Sequence, residues 1–177
     1  MVPEAPLEQT ESGLVPKGEG WFVVNAKEAR WLEHKTFGSG TTFEGDPEFK
    51  ELGINIGVLE PGQPLCLYHR ESAQENFIVL WGECLLLVEG QERRLKAWDF
   101  VHCPPWTEHV FVGAGDGTCG ILAVGGRVQQ DIVYPISELA ARHGASVEKE
   151  TPDPKEAYAP FGRSAQAPYR GQLDDAS

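Results

Sequence analysis

A succession of short apolar segments between residues 54 and 125 limits the fold of this chain more than any other feature. Turn-forming pairs that contain Gly or Pro interrupt it at positions 61–62, 81–82, 89–90 and 104–105, with no helical periodicity between them. Short strands joined by hairpin turns are typical of an antiparallel sandwich or barrel. We therefore predict an all-β fold, and the pattern excludes helical and doubly wound folds. The predicted strands are 54–59, 65–71, 77–80, 83–88, 93–97, 100–103, 109–112 and 118–124.

Composition divides the chain into three parts. Residues 1–19 mix Pro, Glu, Ser and Gly without apolar periodicity, so we expect a mobile, extended N-terminal arm. The barrel domain is predicted over residues 20–135. Residues 136–177 are predicted to form a short helix, 138–143, capped by Ser137, and then an extended tail along the domain surface.

The charge balance restricts the partners. The chain has 15 Lys plus Arg against 27 Asp plus Glu, a formal net charge of −12, and no basic run. Such a surface repels phosphate backbones and anionic lipid, so we expect no nucleic acid and no membrane partner. No apolar stretch approaches the roughly 20 residues of a membrane span, and no signal peptide pattern is present. These features predict a cytoplasmic protein whose partner is a small molecule or another protein.

The four cysteines show no C-x-x-C spacing, and each lies in an apolar segment: Cys66, Cys84, Cys103 and Cys119. They are therefore interpreted as buried free thiols, and a catalytic thiol has no support. Strand alternation places Cys66 on the face opposite His69, which argues against Cys66 as a metal ligand.

Two predicted strands are apolar at consecutive positions, over residues 77–81 and 84–88, so both of their faces require cover. A second subunit, the N-terminal arm or the tail could supply it. Strand addition across a two-fold axis also protects sheet edges, and on this ground we predict a homodimer.

Two His and two Glu occupy positions from which a barrel can bring them together. Residues two apart in a strand share a face, so His69 and Glu71 project to one side. Glu75 follows after a short polar link, and His109 begins another predicted strand. A hydrogen-bonded core or surface role is more common for any single His, but four suitably spaced ligand types favour a metal site.

The same residues give the chain a resemblance to the cupin superfamily, whose motifs are G-x5-H-x-H-x3–4-E-x6-G and G-x5-P-x-G-x2-H-x3-N. The first is similar to His69-x-Glu71-x3-Glu75-x6-Gly82, with Gly62 one residue farther upstream than the pattern asks. The second is similar to WDFVHCPPWTEH over residues 98–109. The resemblance covers about residues 54–124 and leaves both ends of the chain outside it.

The sequence departs from these motifs at several positions. Glu71 stands at the usual second His, Trp98 and Trp106 stand where the motif has Gly, and Gly113 replaces the terminal Asn. Glu71 still offers an oxygen ligand, whereas the other changes affect turns. The resemblance implies a double-stranded, jelly-roll-like β-barrel with a site for a divalent metal ion inside its mouth. Cupins include dioxygenases, isomerases, decarboxylases, seed storage proteins and sugar-sensing domains, so the fold leaves the function open.

The expected metal ligands are His69, Glu75 and His109, with Glu71 as a fourth ligand or as the general base. Imidazoles suit Zn, Ni, Fe and Cu, and carboxylates shift the preference toward Mn or Fe, so we expect a divalent ion of Mn, Fe, Zn or Ni, whose identity the sequence does not determine. We predict a metal-dependent enzyme acting on a small organic molecule, of oxygenase, isomerase or decarboxylase type. Two alternatives stay open: a non-catalytic ligand-binding or sensing module, and a barrel that serves mainly as a structural dimerisation unit.

The other histidines are expected outside the site. Val101 and Cys103 make the better core face of their strand, so His102 is predicted to point outward. His34 and His143 lie outside the barrel strands and are predicted to be surface residues.

Overall fold

The computed structural model describes residues 1–128 and 131–176, and its regular structure is mostly β, as the sequence predicts. No helix in this described part is long and apolar enough to cross a membrane. The strands are β1 (Leu7–Thr10), β2 (Gly13–Pro16), β3 (Trp31–His34), β4 (Gly38–Thr41), β5 (Leu52–Leu59), β6 (Arg70–Glu71), β7 (Glu75–Trp81), β8 (Glu83–Val88), β9 (Gln91–Lys96), β10 (Phe100–Cys103), β11 (His109–Ala114), β12 (Cys119–Gly126), β13 (Ile132–Val133) and β14 (Ala165–Ala167). The helices are α1 (Glu138–Ala141) and α2 (Pro154–Tyr158), with 3-10 turns at Ala159–Phe161 and Asp174–Ala176.

The strands form a seven-stranded sheet in the order β10-β7-β12-β5-β4-β3-β14 and a three-stranded sheet in the order β11-β8-β9. All strand pairings are antiparallel, including the small β13-β6 pair. Seven of the eight predicted barrel strands agree with the structure within two residues at either end.

The predicted strand 65–71 is wrong over most of its length, since only Arg70–Glu71 is a strand. The reason lies in the backbone partners. The Leu67 N–H donates to the Tyr158 hydroxyl, and the Tyr68 N–H donates to the Ala145 carbonyl. The C-terminal segment therefore takes hydrogen bonds that a neighbouring strand would otherwise make.

The core lies between the two sheets and is built by inward-facing residues two apart along each strand. Phe77 and Val79 of β7 pack there with Phe111 of β11 and Ile121 of β12. Continuing the same inward faces by one step reaches Glu75 on β7 and His109 on β11. The candidate site is thus the polar end of the apolar core.

The C-terminal segment covers the outer faces of the barrel. Ala140 and Ala145 are fully buried against Leu87, Val110 and other residues of the smaller sheet. On the other side, Tyr169 and Leu173 pack with Trp31, Val58 and Trp81. Other parts of the chain therefore cover both faces of these apolar strands. The homodimer stays a prediction, but the need to cover these faces no longer supports it.

The predicted helix cap is confirmed, because the Ser137 side chain accepts the Ala140 N–H at 3.2 Å. The helix ends earlier than expected, at Ala141. The tail has more regular structure than the sequence indicated, since α2 and β14 both form within it and β14 pairs with β3.

The N-terminal residues form a hairpin rather than an irregular extended arm, because β1 pairs with β2. Leu14 exchanges backbone hydrogen bonds with Glu28 and Arg30, and Ala5 and Val15 are buried. Each strand of the hairpin has only four residues, which is too short for a periodicity visible in the sequence. The boundary at residue 20 remains a prediction.

Candidate metal centre

His69 and His109 are direct cross-strand neighbours. The His109 N–H donates to the His69 carbonyl at 2.9 Å, and the His69 N–H donates to the His109 carbonyl at 3.2 Å. Residues that exchange both bonds across an antiparallel pair project to the same side of the sheet. Their ring centroids are accordingly 4.8 Å apart.

Both imidazoles are held in one tautomer by backbone carbonyls. The Nδ1 atom of His69 lies 2.9 Å from the Leu67 oxygen, and Nδ1 of His109 lies 3.0 Å from the Thr107 oxygen. A carbonyl oxygen only accepts hydrogen bonds, so each Nδ1 carries a proton. In the neutral rings each Nε2 then has a free lone pair, which is the arrangement of a metal-ligating His.

The two Nε2 atoms face one carboxylate oxygen, Oε2 of Glu75. The distances are 3.1 Å from His109 and 3.8 Å from His69. This oxygen is buried. The contact with Nε2 of His109 is short enough for an ion pair but lacks hydrogen-bond geometry, and no other residue in the described part of the chain donates a hydrogen bond to this oxygen. One donor atom each from His69, Glu75 and His109 lie within 4.8 Å of one another. Two neutral nitrogens and an unpaired buried oxygen fit a divalent cation, which would satisfy all three.

The electrostatics separate the two histidines. Burial, helped by the neighbouring His109, lowers the pKa of His69 to about 4, so this ring is neutral at pH 7. Burial also lowers the pKa of His109, but the Glu75 carboxylate 3.1 Å away outweighs it and leaves this pKa above its ordinary value. Burial raises the pKa of Glu75, but the two imidazoles lower it by more, so the pKa of Glu75 lies below its ordinary value.

Glu71 lies next to Glu75 but outside the cluster of three. A Cβ placed on Gly125 would be 3.6 Å from Oε1 of Glu75 and 3.9 Å from Oε1 of Glu71, so both carboxylates border this glycine. They line a cavity of about 340 Å³ together with Asn55. Burial and the charge of Glu75 raise the pKa of Glu71 to about 7. The structure thus brings Glu71 to the site without making it a fourth member of the cluster.

The alternation expected around His69 holds for its neighbours, since Tyr68 packs in the core beneath α1 and Arg70 pairs with Glu108. The placement of Cys66 was wrong. Its Sγ lies 3.7 Å from Nδ1 of His69, because residues 65–69 do not form a regular strand. It is on the side of the ring away from Nε2, and burial raises the pKa of its thiol, so it is no better a ligand there.

The remaining histidines lie away from the cluster. His102 is exposed and contacts Asn76 through Nδ1. His34 accepts backbone N–H groups from Thr36 and Phe37, and His143 faces Glu92.

Sequence reasoning missed the part that the tail plays in the site. The Tyr134 ring lies 6.0 Å from that of His69, and Tyr158 packs against Tyr134 at 5.6 Å. The Tyr158 hydroxyl accepts the Leu67 N–H at 3.1 Å, and Leu67 is the residue whose carbonyl orients His69. The only signal in the sequence is aromatic residues in a segment that has few aliphatic ones.

The two tryptophans that replace motif glycines keep a glycine-type backbone. The φ angle is +74° at Trp98 and +70° at Trp106. The turns are held by backbone hydrogen bonds from Trp98 to Val79 at 2.7 Å and from Trp106 to Glu71 at 2.6 Å. These departures therefore preserve the turns that position β7 and β6.

Residues 55–125 match the family described as Cupin domain, and the cupin assignment applies to this segment of the chain. Among curated proteins, none matches the chain significantly.

Three solved structures illustrate the similarity. A cupin-superfamily sugar phosphate isomerase from Silicibacter pomeroyi has 23% identity and a TM-score of 0.49, over 60% of this chain and 66% of its own. A proposed sugar phosphate isomerase from Acidithiobacillus ferrooxidans has 28% identity and a TM-score of 0.44, over 48% and 55%. The polyketide cyclase RemF from Streptomyces resistomycificus has 15% identity and a TM-score of 0.55, over 63% and 83%, which shows a shared fold. The chain thus spans less than two thirds of the length of either isomerase.

Proposed function

We propose that His69, Glu75 and His109 bind a divalent ion of Mn, Fe, Zn or Ni, and that the protein is a metal-dependent enzyme acting on a small organic molecule. The observation that carries this proposal is the convergence of two imidazoles, each anchored through Nδ1, on the buried Glu75 Oε2, which lies 3.1 Å from Nε2 of His109 and 3.8 Å from Nε2 of His69. A bound ion would supply Lewis-acid chemistry, polarising a substrate oxygen.

Glu71 is proposed as the group that moves a proton on the substrate. Its carboxylate lines the same cavity as Glu75 and borders Gly125, while the nitrogens of His69 and His109 are directed at Glu75. A carboxylate that is near the metal ligands without being one of them is suited to general acid–base catalysis. This placement favours an isomerase-type proton transfer over the oxygenase and decarboxylase types.

Metal content per chain after dialysis, measured with folding checked by circular dichroism, tests the ligand set. We expect His69→Ala and His109→Ala to lose most of the metal, because each removes one of two nitrogen donors. His102→Ala, which changes an exposed His of the same barrel, is the matched control and should retain it. If both ligand variants stay folded and hold metal at the wild-type ratio, the centre lies elsewhere.

Glu71→Gln completes the same experiment. It should retain metal and lose solvent deuterium incorporation into any member of a panel of small acids, diketones and phenols that wild type exchanges. Loss of metal in Glu71→Gln would instead identify Glu71 as a fourth ligand.

A further inference from the structure

A second cavity lies beside the candidate metal centre, between the large sheet and the C-terminal segment, and its volume is about 360 Å³. Residues of β3, β4 and β5 line it from the sheet, and Tyr158, Gly162 and Ser164 line it from the C-terminal segment, so we call it the tail cavity. Most of its lining in the described part of the chain lies outside residues 55–125. The tail cavity therefore depends on parts of this chain other than its cupin domain.

The lining of the tail cavity is uncharged, although the chain has a net charge of −12. Among the residues that the structure describes, no Asp, Glu, Lys or Arg lines it, whereas Glu71 and Glu75 line the cavity at the metal centre. His34 brings no charge, because its Nδ1 accepts the N–H groups of Thr36 and Phe37 at 3.0 and 3.3 Å and so carries no proton. A charged ligand would lose hydration there without gaining a counter-ion, so the cavity favours a neutral one.

The size of the tail cavity and the rings in its wall indicate an aromatic ligand. Phe37 and Tyr158 pack edge to face, with ring centroids 5.3 Å apart, and Leu32 and Leu65 also line the cavity. Aromatic rings gain from edge-to-face and offset contacts beyond the area that they bury. A cavity of about 150 Å³ is enough to hold benzene, so the larger tail cavity has room for one ring with its substituents.

The tail cavity adjoins the cavity at the metal centre. Asn55 lines both cavities, and its side-chain amide has no hydrogen-bond partner among the residues in the described ranges. Cys66 also lines the tail cavity and lies 3.7 Å from Nδ1 of His69, whose Nε2 faces Glu75. An extended molecule can therefore lie in both cavities, pass the Asn55 amide and place one end near the metal ligands.

We propose that the tail cavity binds an uncharged aromatic ring of the substrate, which makes the substrate an aromatic compound whose reacting group is joined to the ring by a short chain. This inference rests on the proposed function for the identity of the ligand as substrate. Leu32 and Phe37 are in this view specificity-determining residues, because they line the ring site and are not metal ligands. The Asn55 amide hydrogen-bonds the chain between the ring and the reacting group.

The first arm of the test needs no metal. In metal-free protein with 13C-labelled leucine methyl groups, 4-methylbenzamide should shift the signals of Leu32 and Leu65, assigned by their loss in Leu32→Ile and Leu65→Ile. The charged 4-methylbenzoate has nearly the same shape and should leave both signals unchanged at the same concentration. Leu7 of β1 is the internal control. Signals of Leu32 and Leu65 that ignore the amide, or that respond equally to both compounds, overturn the proposal.

The second arm uses the Zn-loaded protein and two hydroxamates. Acetohydroxamate carries the metal-binding group alone, whereas 3-phenylpropionohydroxamate adds a ring on a short chain. The ring should tighten binding by about tenfold or more, since burial of a phenyl group contributes at least about that factor. Equal binding of the two compounds by wild type overturns the proposal that the ring belongs to a ligand of the metal site.

Leu32→Trp fills the tail cavity with its own ring and should lose both the methyl shift of Leu65 and the gain from the phenyl group. Leu52→Trp, the same change at a half-exposed position of β5 outside this cavity, is the matched control and should keep both. A folded Leu32→Trp variant that keeps both overturns the placement of the ring. Failure of Zn to bind the three proposed ligands refutes the proposed function instead, whereas a positive first arm then still establishes an aromatic site in the tail cavity.

Discussion

Tyr158, the last residue of α2, is connected through Leu67 to the candidate metal ligand His69. Removing its hydroxyl group tests whether this connection stabilises the fold and positions His69. The hydroxyl accepts the N–H of Leu67, which is completely buried, and the Leu67 carbonyl accepts Nδ1–H of His69. Tyr158→Phe keeps the ring that packs against Phe37 and Tyr134. The substitution therefore isolates the hydrogen bond from the packing.

The expected cost follows from the burial of the orphaned donor. A buried N–H left without a partner costs about 1–3 kcal/mol, so we expect the free energy of unfolding to fall by about 2 kcal/mol. For a chain of this size that lowers Tm by about 4–8 °C. Looser positioning of the Leu67 carbonyl should also weaken metal binding by about tenfold, as is typical when the partner of a ligating His is disturbed.

Urea unfolding followed by circular dichroism, together with metal titration, measures both effects. Tyr169→Phe is the matched control, because its hydroxyl also accepts a backbone N–H, from Leu173 at 3.1 Å, and donates to the Asp174 carboxylate, but Leu173 is half-buried and Asp174 is exposed. We expect this control to lower the free energy of unfolding by no more than about 1 kcal/mol, half the cost expected for Tyr158→Phe. If Tyr158→Phe also stays within that range and binds metal as wild type does, α2 does not position His69.

Two further predictions concern a buried acid and a strained turn. Because burial and Glu75 raise the pKa of Glu71 from 4.5 to about 7, the metal-free folded state binds this proton more tightly than the unfolded chain, and stability falls as pH rises between those values. Glu71→Gln should remove that loss, seen as a flatter pH dependence of urea unfolding in chelator; an unchanged slope would contradict it. Trp98 is 73% exposed with φ at +74°, so Trp98→Gly should raise the free energy of unfolding by about 0.5–1 kcal/mol, and a lower urea midpoint would show that the ring contributes more than the strain costs.

The sequence could predict candidate ligands because their spacing follows local rules. Strands alternate with a period of two, so the spacing of His69 and Glu71 places them on one face wherever the strand lies. The Pro-containing turn before it locates His109 at the start of β11, whereas the predicted strand began only at residue 77 and left Glu75 just outside the strand that it begins. These predictions required no knowledge of which strands are neighbours.

The parts that the sequence could not predict depend on contacts between distant segments. The strand expected over residues 65–71 is interrupted because Tyr158 and Ala145 supply the backbone partners of Leu67 and Tyr68. The same interruption brings Cys66 to the Nδ1 side of His69. Nothing in the local pattern of these residues indicates that a tail about 80–90 residues away replaces a strand neighbour.

Packing alone does not explain why polar side chains are buried at the mouth of the barrel. On β7 and β11 the inward faces are apolar up to the last step, where Glu75 and His109 replace the aliphatic residues that would pack best. Burying an unpaired carboxylate oxygen costs stability, and apolar residues of similar size avoid that cost. A barrel used only as a scaffold or a dimerisation unit gains nothing from this cost. It is explained if the oxygen is reserved, with the two Nε2 lone pairs directed at it, for a cation that neutralises it.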